Sequence, residues 1–302
     1  MRQAGTRRGF SLTALSAVLM AAIVLAGCGS SAAAGNEETG RNENSAETFE
    51  WFYESFDDTQ KAAYDAFRTA ADSPFASDPV TIGNEQDGVA ELSVSDLDTV
   101  YQGFLYDHPE IFWLSSSYSY RVSGSAAGEE TADAVSVIPI PETAEELDLQ
   151  IREFESAAQN MLDRAEKADG DRERAEILYR CLTDEIEYEE EALYDSTLQN
   201  EHTAYGAIAK KEAVCDGFAL AYKYLLDRCG IKCILIPGTS EGMPHVWNTV
   251  FWDNAWHEAD PTWDAASEAD KRGQYFDLTT EEMNKDHTRE ADGIALLIPA
   301  AE

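Results

Sequence analysis

The stretch from His245 to Asp260 leaves a folding chain few choices. His245-Val246-Trp247-Asn248-Thr249-Val250-Phe251-Trp252 is rich in β-branched and aromatic residues, Asp253-Asn254 is a two-residue turn, and Ala255-Trp256-His257-Glu258-Ala259-Asp260 returns. A turn of that length sets the register of an antiparallel hairpin. Counting back from it, His245 pairs with Thr262, and Asp260 becomes its diagonal neighbour on the same sheet face, within cross-strand reach. His257 stands three residues from Asp260, so it points to the opposite face and is the weaker rival as a base.

Upstream, Phe218, Ala221, Tyr222, Leu225 and Leu226 repeat at helical spacing up to Cys229-Gly230, and Cys215 stands where a loop enters that helix. A thiol in a first helical turn faces unpaired N–H groups and the positive end of the helix dipole, so its pKa is expected to fall. Gly217 is expected to let a substrate backbone approach. Between helix and hairpin the pattern predicts a short strand, Cys233 to Ile236, then a loop with Gly238, Gly242 and Pro244. Cys215, His245 and Asp260 together have the parts of an activated-nucleophile triad: a thiolate to attack a carbonyl, an imidazole to carry the proton, and a carboxylate to hold the imidazole. No further cysteine or histidine stands at C-x-x-C or H-x-x-x-H spacing, so the set reads as catalytic, with no metal and no cofactor.

The N-terminus reads as an export signal. Arg2, Arg7 and Arg8 form a positive n-region, and Phe10 to Leu25 form an apolar segment short for a membrane span. It ends in Leu25-Ala26-Gly27-Cys28, which resembles a bacterial lipobox and makes Cys28 the expected lipid carrier. Residues 29–46, rich in Gly, Ser, Ala, Asn and Glu, read as a disordered tether. The expected arrangement is a lipid-anchored protein on the extracytoplasmic face of a cell membrane, touching that membrane only through Cys28. The chain carries 22 Lys+Arg against 58 Asp+Glu, formally −36, which makes nucleic acid a poor partner and lysine-rich peptides a favoured one. The acid run from Glu187 to Glu191 reads as a solvated face, since no carboxylate–glycine loop of the calcium-binding kind accompanies it. Cys181 falls on an apolar stripe and is expected buried; Cys229 and Cys233 bracket a turn and could pair.

Elsewhere, periodicity predicts a helix over residues 47–72 and a second from Ser95, with Asp98 three residues on as a capping partner. A hairpin of Phe112 to Val122 with Ala134 to Ile140 follows, then a long amphipathic helix after Pro141 and another from about Arg172 to Ile186. The aromatic-rich first half is expected to pack on the second as one unit.

Val214-Cys215-Asp216-Gly217-Phe218-Ala219, His245-Val246-Trp247-Asn248 and Asp260-Pro261-Thr262-Trp263-Asp264, in that order, resemble the three motif blocks of the transglutaminase-like superfamily, in its bacterial branch with a papain-type core. Thr203-Ala204-Tyr205-Gly206-Ala207 resembles the segment leading into the cysteine. The similarity covers about residues 171–278. It implies an α+β fold, with the cysteine helix packed on an antiparallel sheet that carries histidine and aspartate, behind an N-terminal helical and hairpin extension. The implied organisation is a signal peptide over 1–27, a tether over 28–46, an extension over 47–170 and a catalytic core with its tail over 171–302. By resemblance Cys215 is the nucleophile, His245 the acid/base, Asp260 its orienter and Tyr205 an oxyanion contributor. The implied activity is a cysteine peptidase or amidase acting on peptides or proteins. The alternatives are a crosslinking transamidase and a catalytically silent surface-binding module.

Overall fold

The computed structural model describes residues 4–7 (backbone alone), 48–84, 88–126, 128–267 and 272–302. Cys28, the whole apolar segment from Phe10 to Leu25 and the expected tether lie outside the described residues. No described helix is long and apolar enough to cross a membrane.

The expected helix over 47–72 is two helices, α1 (Trp51–Ser55) and α2 (Asp58–Ala71). Asp57 makes the break: its carboxylate accepts from the N–H groups of Thr59 and Gln60, and the Gln60 side chain accepts from the Asp57 N–H. That capping box starts a new helix more cheaply than the old one continues. Helix α3 (Val94–Asp107) begins at Ser93, whose hydroxyl accepts from Asp96 N–H, two residues before the expected cap. Asp98 instead accepts from the Tyr118 hydroxyl. Strands β1 (Leu114–Ala126) and β2 (Glu129–Pro139) form the expected hairpin, extended toward its turn. Ala4–Arg7, within the stretch read as a leader, lies antiparallel along Tyr118–Arg121.

The second half opens with α4 (Ala144–Ala165), capped by Thr143, and α5 (Asp171–Glu185). Then come α6 (Cys215–Arg228), β3 (Cys233–Ser240), β4 (Met243–Trp252), β5 (Ala255–Ala259) and α7 (Pro261–Ala265), with β6 (His287–Arg289) near the end. The strands form one antiparallel sheet in the order β5-β4-β3-β6. Asp253 and Asn254 both have positive φ, 51° and 63°, the mirror-image turn that matches strand twist. Pairs from Trp252–Ala255 to Asn248–Ala259 follow the register counted from that turn.

The loop expected around Gly238 is strand instead. β3 runs to Ser240 and turns into β4 through Glu241 and Gly242, both at positive φ. Gly238 is there because its neighbours occupy the space of a side chain. A Cβ would stand 2.3 Å from the Thr288 carbonyl oxygen and 2.7 Å from the Trp247 ring. The missing side chain lets β6 and Trp247 close on β3.

Two apolar clusters flank this sheet. Phe154, Leu178, Phe218, Leu225, Val250 and Trp252 belong to one, between α4, α5, α6 and the strands. In the other, Phe52, Phe67, Tyr101 and Phe104 of the first half pack with Ile234, Ile236 and Trp247 of the second. Each such side chain contributes about 1.5–3 kcal/mol on burial, so the halves share a core. A polar tie crosses the same boundary: the buried Lys223 ammonium on α6 donates to the Phe49 carbonyl at 2.8 Å, the Asp227 carboxylate at 2.9 Å and the Cys233 carbonyl at 3.2 Å.

Candidate active site

Cys215 is the first residue of α6. The residue before it, Val214, has no side-chain acceptor, whereas α2, α3, α4 and α7 are each capped by one. The first-turn N–H groups of α6 are therefore left without a side-chain cap beside the thiol. Cys215 is 8% exposed. Burial pushes its thiol well above the ordinary range, and the Asp216 and Asp260 carboxylates act in the same sense; the backbone N–H groups of Val246 and Asp216 act against them. This reverses the direction expected from the helix start. The sulfur is desolvated, and its neighbour along the helix is an anion whose Oδ1 lies 3.7 Å away.

Asp260 ends β5 and begins α7. Its Oδ1 accepts from the Thr262 N–H at 2.8 Å and the Trp263 N–H at 3.2 Å, and Pro261 fills the first helical position, where no N–H is needed. Its Oδ2 accepts from His245 Nε2 at 2.5 Å, with Asp260 fully buried and His245 nearly so. Burial alone would raise the Asp260 carboxyl, but the charges and hydrogen bonds of His245 and His287 hold it below the usual carboxylate range. With Nε2 committed to Asp260, Nδ1 is the ring nitrogen that Asp260 does not engage. The structure thus brings His245 and Asp260 together as the hairpin count requires, and adds a cap that locks the carboxylate.

Sequence reasoning missed His287. This residue, fully buried at the start of β6, donates from Nε2 to the same Asp260 Oδ2 at 2.9 Å, and its Nδ1 stands 2.6 Å from Asp286 Oδ1. No spacing rule links it to the hairpin; it arrives through an edge strand 27 residues beyond Asp260. His202 was missed as well. Its Nδ1 lies 3.0 Å from Asp216 Oδ2 and its Nε2 3.2 Å from the Ala192 carbonyl oxygen, so the carboxylate beside Cys215 has an imidazole on its far side.

Other expected residues are placed differently. Tyr205, read as an oxyanion contributor, stacks on Phe112 and donates its hydroxyl to Glu153 at 2.8 Å, with Lys210 over its ring. The space at Gly217 goes to the chain itself: a Cβ would stand 2.5 Å from the Glu201 carbonyl oxygen and 3.0 Å from that of Thr203. His257 turns away to Asp277 at 2.8 Å and stacks on Trp252. Asp264, the nearest spare carboxylate, accepts from the Tyr179 hydroxyl at 2.6 Å and from the N–H groups of Gln274 and Tyr275. Cys229 and Cys233 are free thiols, and Cys181 is buried.

His245, Asp260 and His287 place three donor atoms within 4.8 Å of one another, as a metal site would. The spacing decides against that reading. Asp260 Oδ2 stands 2.5 and 2.9 Å from the two nitrogens, whereas ligands on one tetrahedral zinc, at bonds of about 2.1 Å, stand roughly 3.4 Å apart. These are hydrogen bonds.

Residues 157–261 match the family model described as the transglutaminase-like superfamily. The chain is also similar to the kyphoscoliosis peptidases of Mus musculus and Homo sapiens, at 26% identity over 113 residues in each case. That similarity covers 33% of this chain but 17% of each peptidase, so it spans about a sixth of their length. Among solved structures, one described as a TGase aligns with a TM-score of 0.36 and 16% identity, over 47% of this chain and 43% of that one.

Proposed function

Since the chain carries a core of the transglutaminase-like superfamily, we propose that it is a thiol enzyme that cleaves amide bonds of peptides or proteins through an acyl-enzyme on Cys215. The observation that carries this reading is the buried 2.5 Å bond from His245 Nε2 to Asp260 Oδ2, which leaves the other ring nitrogen to act as the base. In the first step His245 Nδ1 takes the Cys215 proton as the sulfur bonds to the substrate carbonyl carbon. The oxyanion draws on the uncapped N–H groups of the α6 first turn. The tetrahedral species collapses as the C–N bond breaks and the imidazolium gives its proton to the leaving amine. Water then attacks the thioester, passing a proton to His245, and the carboxylic acid leaves as the thiol is restored.

Hydrolysis is preferred to transamidation because the matching curated proteins are named peptidases. Net charge favours cationic, lysine-rich polypeptides as substrates by attraction. The lipobox-like Leu25-Ala26-Gly27-Cys28 supports placement on the outer face of a cell membrane through lipid on Cys28. The test pairs chemical labelling with turnover. Cys215 should react with iodoacetamide at neutral pH faster than Cys181, and His245→Ala should remove that advantage. A panel of lysine-containing peptides, with and without an added primary amine, should give cleavage in water. Amine adducts in place of cleavage would convert the reading to a transamidase, and labelling of Cys215 indifferent to His245 would overturn the triad.

A further inference from the structure

Asp260 holds two imidazoles, and a Cys-His-Asp triad needs one. His245 and His287 donate to the same carboxylate oxygen at 2.5 and 2.9 Å, their ring centroids 5.3 Å apart. The second ring is fully buried, wedged among Trp247, Trp263 and Tyr275 at centroid distances of 5.1, 5.3 and 5.7 Å. Its other nitrogen faces Asp286 Oδ1 at 2.6 Å, and the other oxygen of Asp286 accepts from the Tyr275 hydroxyl at 2.8 Å. The groups that face His287 are therefore Asp260 at the end of β5, Asp286 in the turn before β6, His245 on β4 and the Tyr275 hydroxyl.

An imidazole between two ionised carboxylates can satisfy both only by donating from both nitrogens, which only the imidazolium does. We infer that His287 is a positioning residue of this site: a buried imidazolium, donating to a carboxylate from each ring nitrogen, that shares the Asp260 carboxylate with His245 and sets the pH range in which Cys215 and His245 exchange their proton. The inference rests on the triad reading of the preceding subsection.

Its effect has a definite sign. A positive charge about 5 Å from His245 disfavours a second positive charge there and favours the Cys215 thiolate, so every proton loss from the Cys215–His245 pair is easier. The Asp286 carboxylate partly cancels that field from the far side, where it is a third exposed. His287 also keeps Asp260 from holding the catalytic imidazolium too tightly, which leaves its proton transferable to a leaving amine. Burial pulls His287 down, but the bonds and charges of Asp260 and Asp286 outweigh it and hold the group above the usual histidine range.

The experiment uses the full chain, iodoacetamide as the probe of Cys215 against pH, and two variants. His287→Gln keeps an N–H donor for Asp260 without the charge; Asp286→Asn keeps an acceptor for His287 without the opposing charge. The acid-side midpoint of Cys215 labelling should rise by about one pH unit in His287→Gln and fall in Asp286→Asn. General loosening of the site would move both in one direction, so two shifts of the same sign, or none, overturn the inference. Nitrogen-15 histidine spectra of the wild type at pH 7.5 give a reading that needs no reactive thiol. Both His287 nitrogens should carry protons, and a single protonated nitrogen refutes the proposal. A failure of the triad itself would appear separately, as labelling unchanged by His245→Ala.

Discussion

Lys223→Met should be among the most damaging single changes outside the site. Lys223 is 1% exposed, and its ammonium has three acceptors: the carbonyls of Phe49 and Cys233 and the carboxylate of Asp227. Methionine fills the volume of the aliphatic stem but leaves all three unanswered. Breaking one side of a buried ion pair costs about 3–5 kcal/mol, which for a chain of this size is a fall of about 10 °C in Tm. The penalty should depend on pH. Burial, only partly offset by Lys223, already pushes the Asp227 carboxyl from 3.8 up to about 7, and its Oδ1 has no hydrogen-bond partner. A carboxyl raised in the folded state favours folding below its unfolded pKa, and that advantage fades as pH climbs through the folded value. Without the ammonium the folded value rises further, so the cost should grow between pH 7 and 8 by up to about 1.4 kcal/mol. Urea unfolding followed by tryptophan fluorescence at pH 5.5 and pH 8 measures this directly. The double variant Lys223→Met/Asp227→Leu should recover most of the loss, because no charge is stranded. A cost below about 1 kcal/mol, a cost independent of pH, or a double variant as unstable as the single one would refute the reasoning.

Three further outcomes follow from the sheet and the site. Asp260→Asn keeps an oxygen for capping α7 but no longer fixes the His245 tautomer, so turnover on any cleaved peptide should fall by about 10²–10⁴, and Tm should fall too because two buried imidazoles lose their acceptor; Asp264→Asn should lower Tm and spare turnover. Gly238→Ala forces a Cβ against the Thr288 carbonyl and the Trp247 ring and should destabilise by about 1–3 kcal/mol in thermal denaturation; an unchanged Tm would mean that β6 can move away freely.

What could be read before the structure was local. The Asp253-Asn254 turn placed Asp260 diagonal to His245 because hairpin register is a counting problem once the turn length is known. The Cys215 helix and the long helices were legible from period alone. What failed was whatever depended on chain far away in sequence. The thiol's direction was misjudged because the dipole argument knows nothing of the burial or of the Asp216 charge. Gly217 looked like room for substrate until residues 201–203 came to fill it. His287 sits in Asn284-Lys285-Asp286-His287-Thr288-Arg289, a polar run with no periodic signal, and it meets Asp260 only because Gly238 lets β6 pair with β3. The break at Asp57 was readable in principle from Asp57 and Gln60 three residues apart, but the unbroken aromatic period masked it.

The stretch this chain shares with its relatives is not a portable module. It stops at residue 261, one past the carboxylate that anchors the site, and so excludes the second imidazole and the strand that carries it. It also excludes the aromatic side chains of the first half that cover Ile234, Ile236 and Trp247 on strands β3 and β4. Grafted into another protein at those borders, it would arrive with Asp260 short of a donor and an apolar sheet face bare. A host would have to supply its own cover for that face, and relatives can therefore share the motif blocks while differing in everything that props them up.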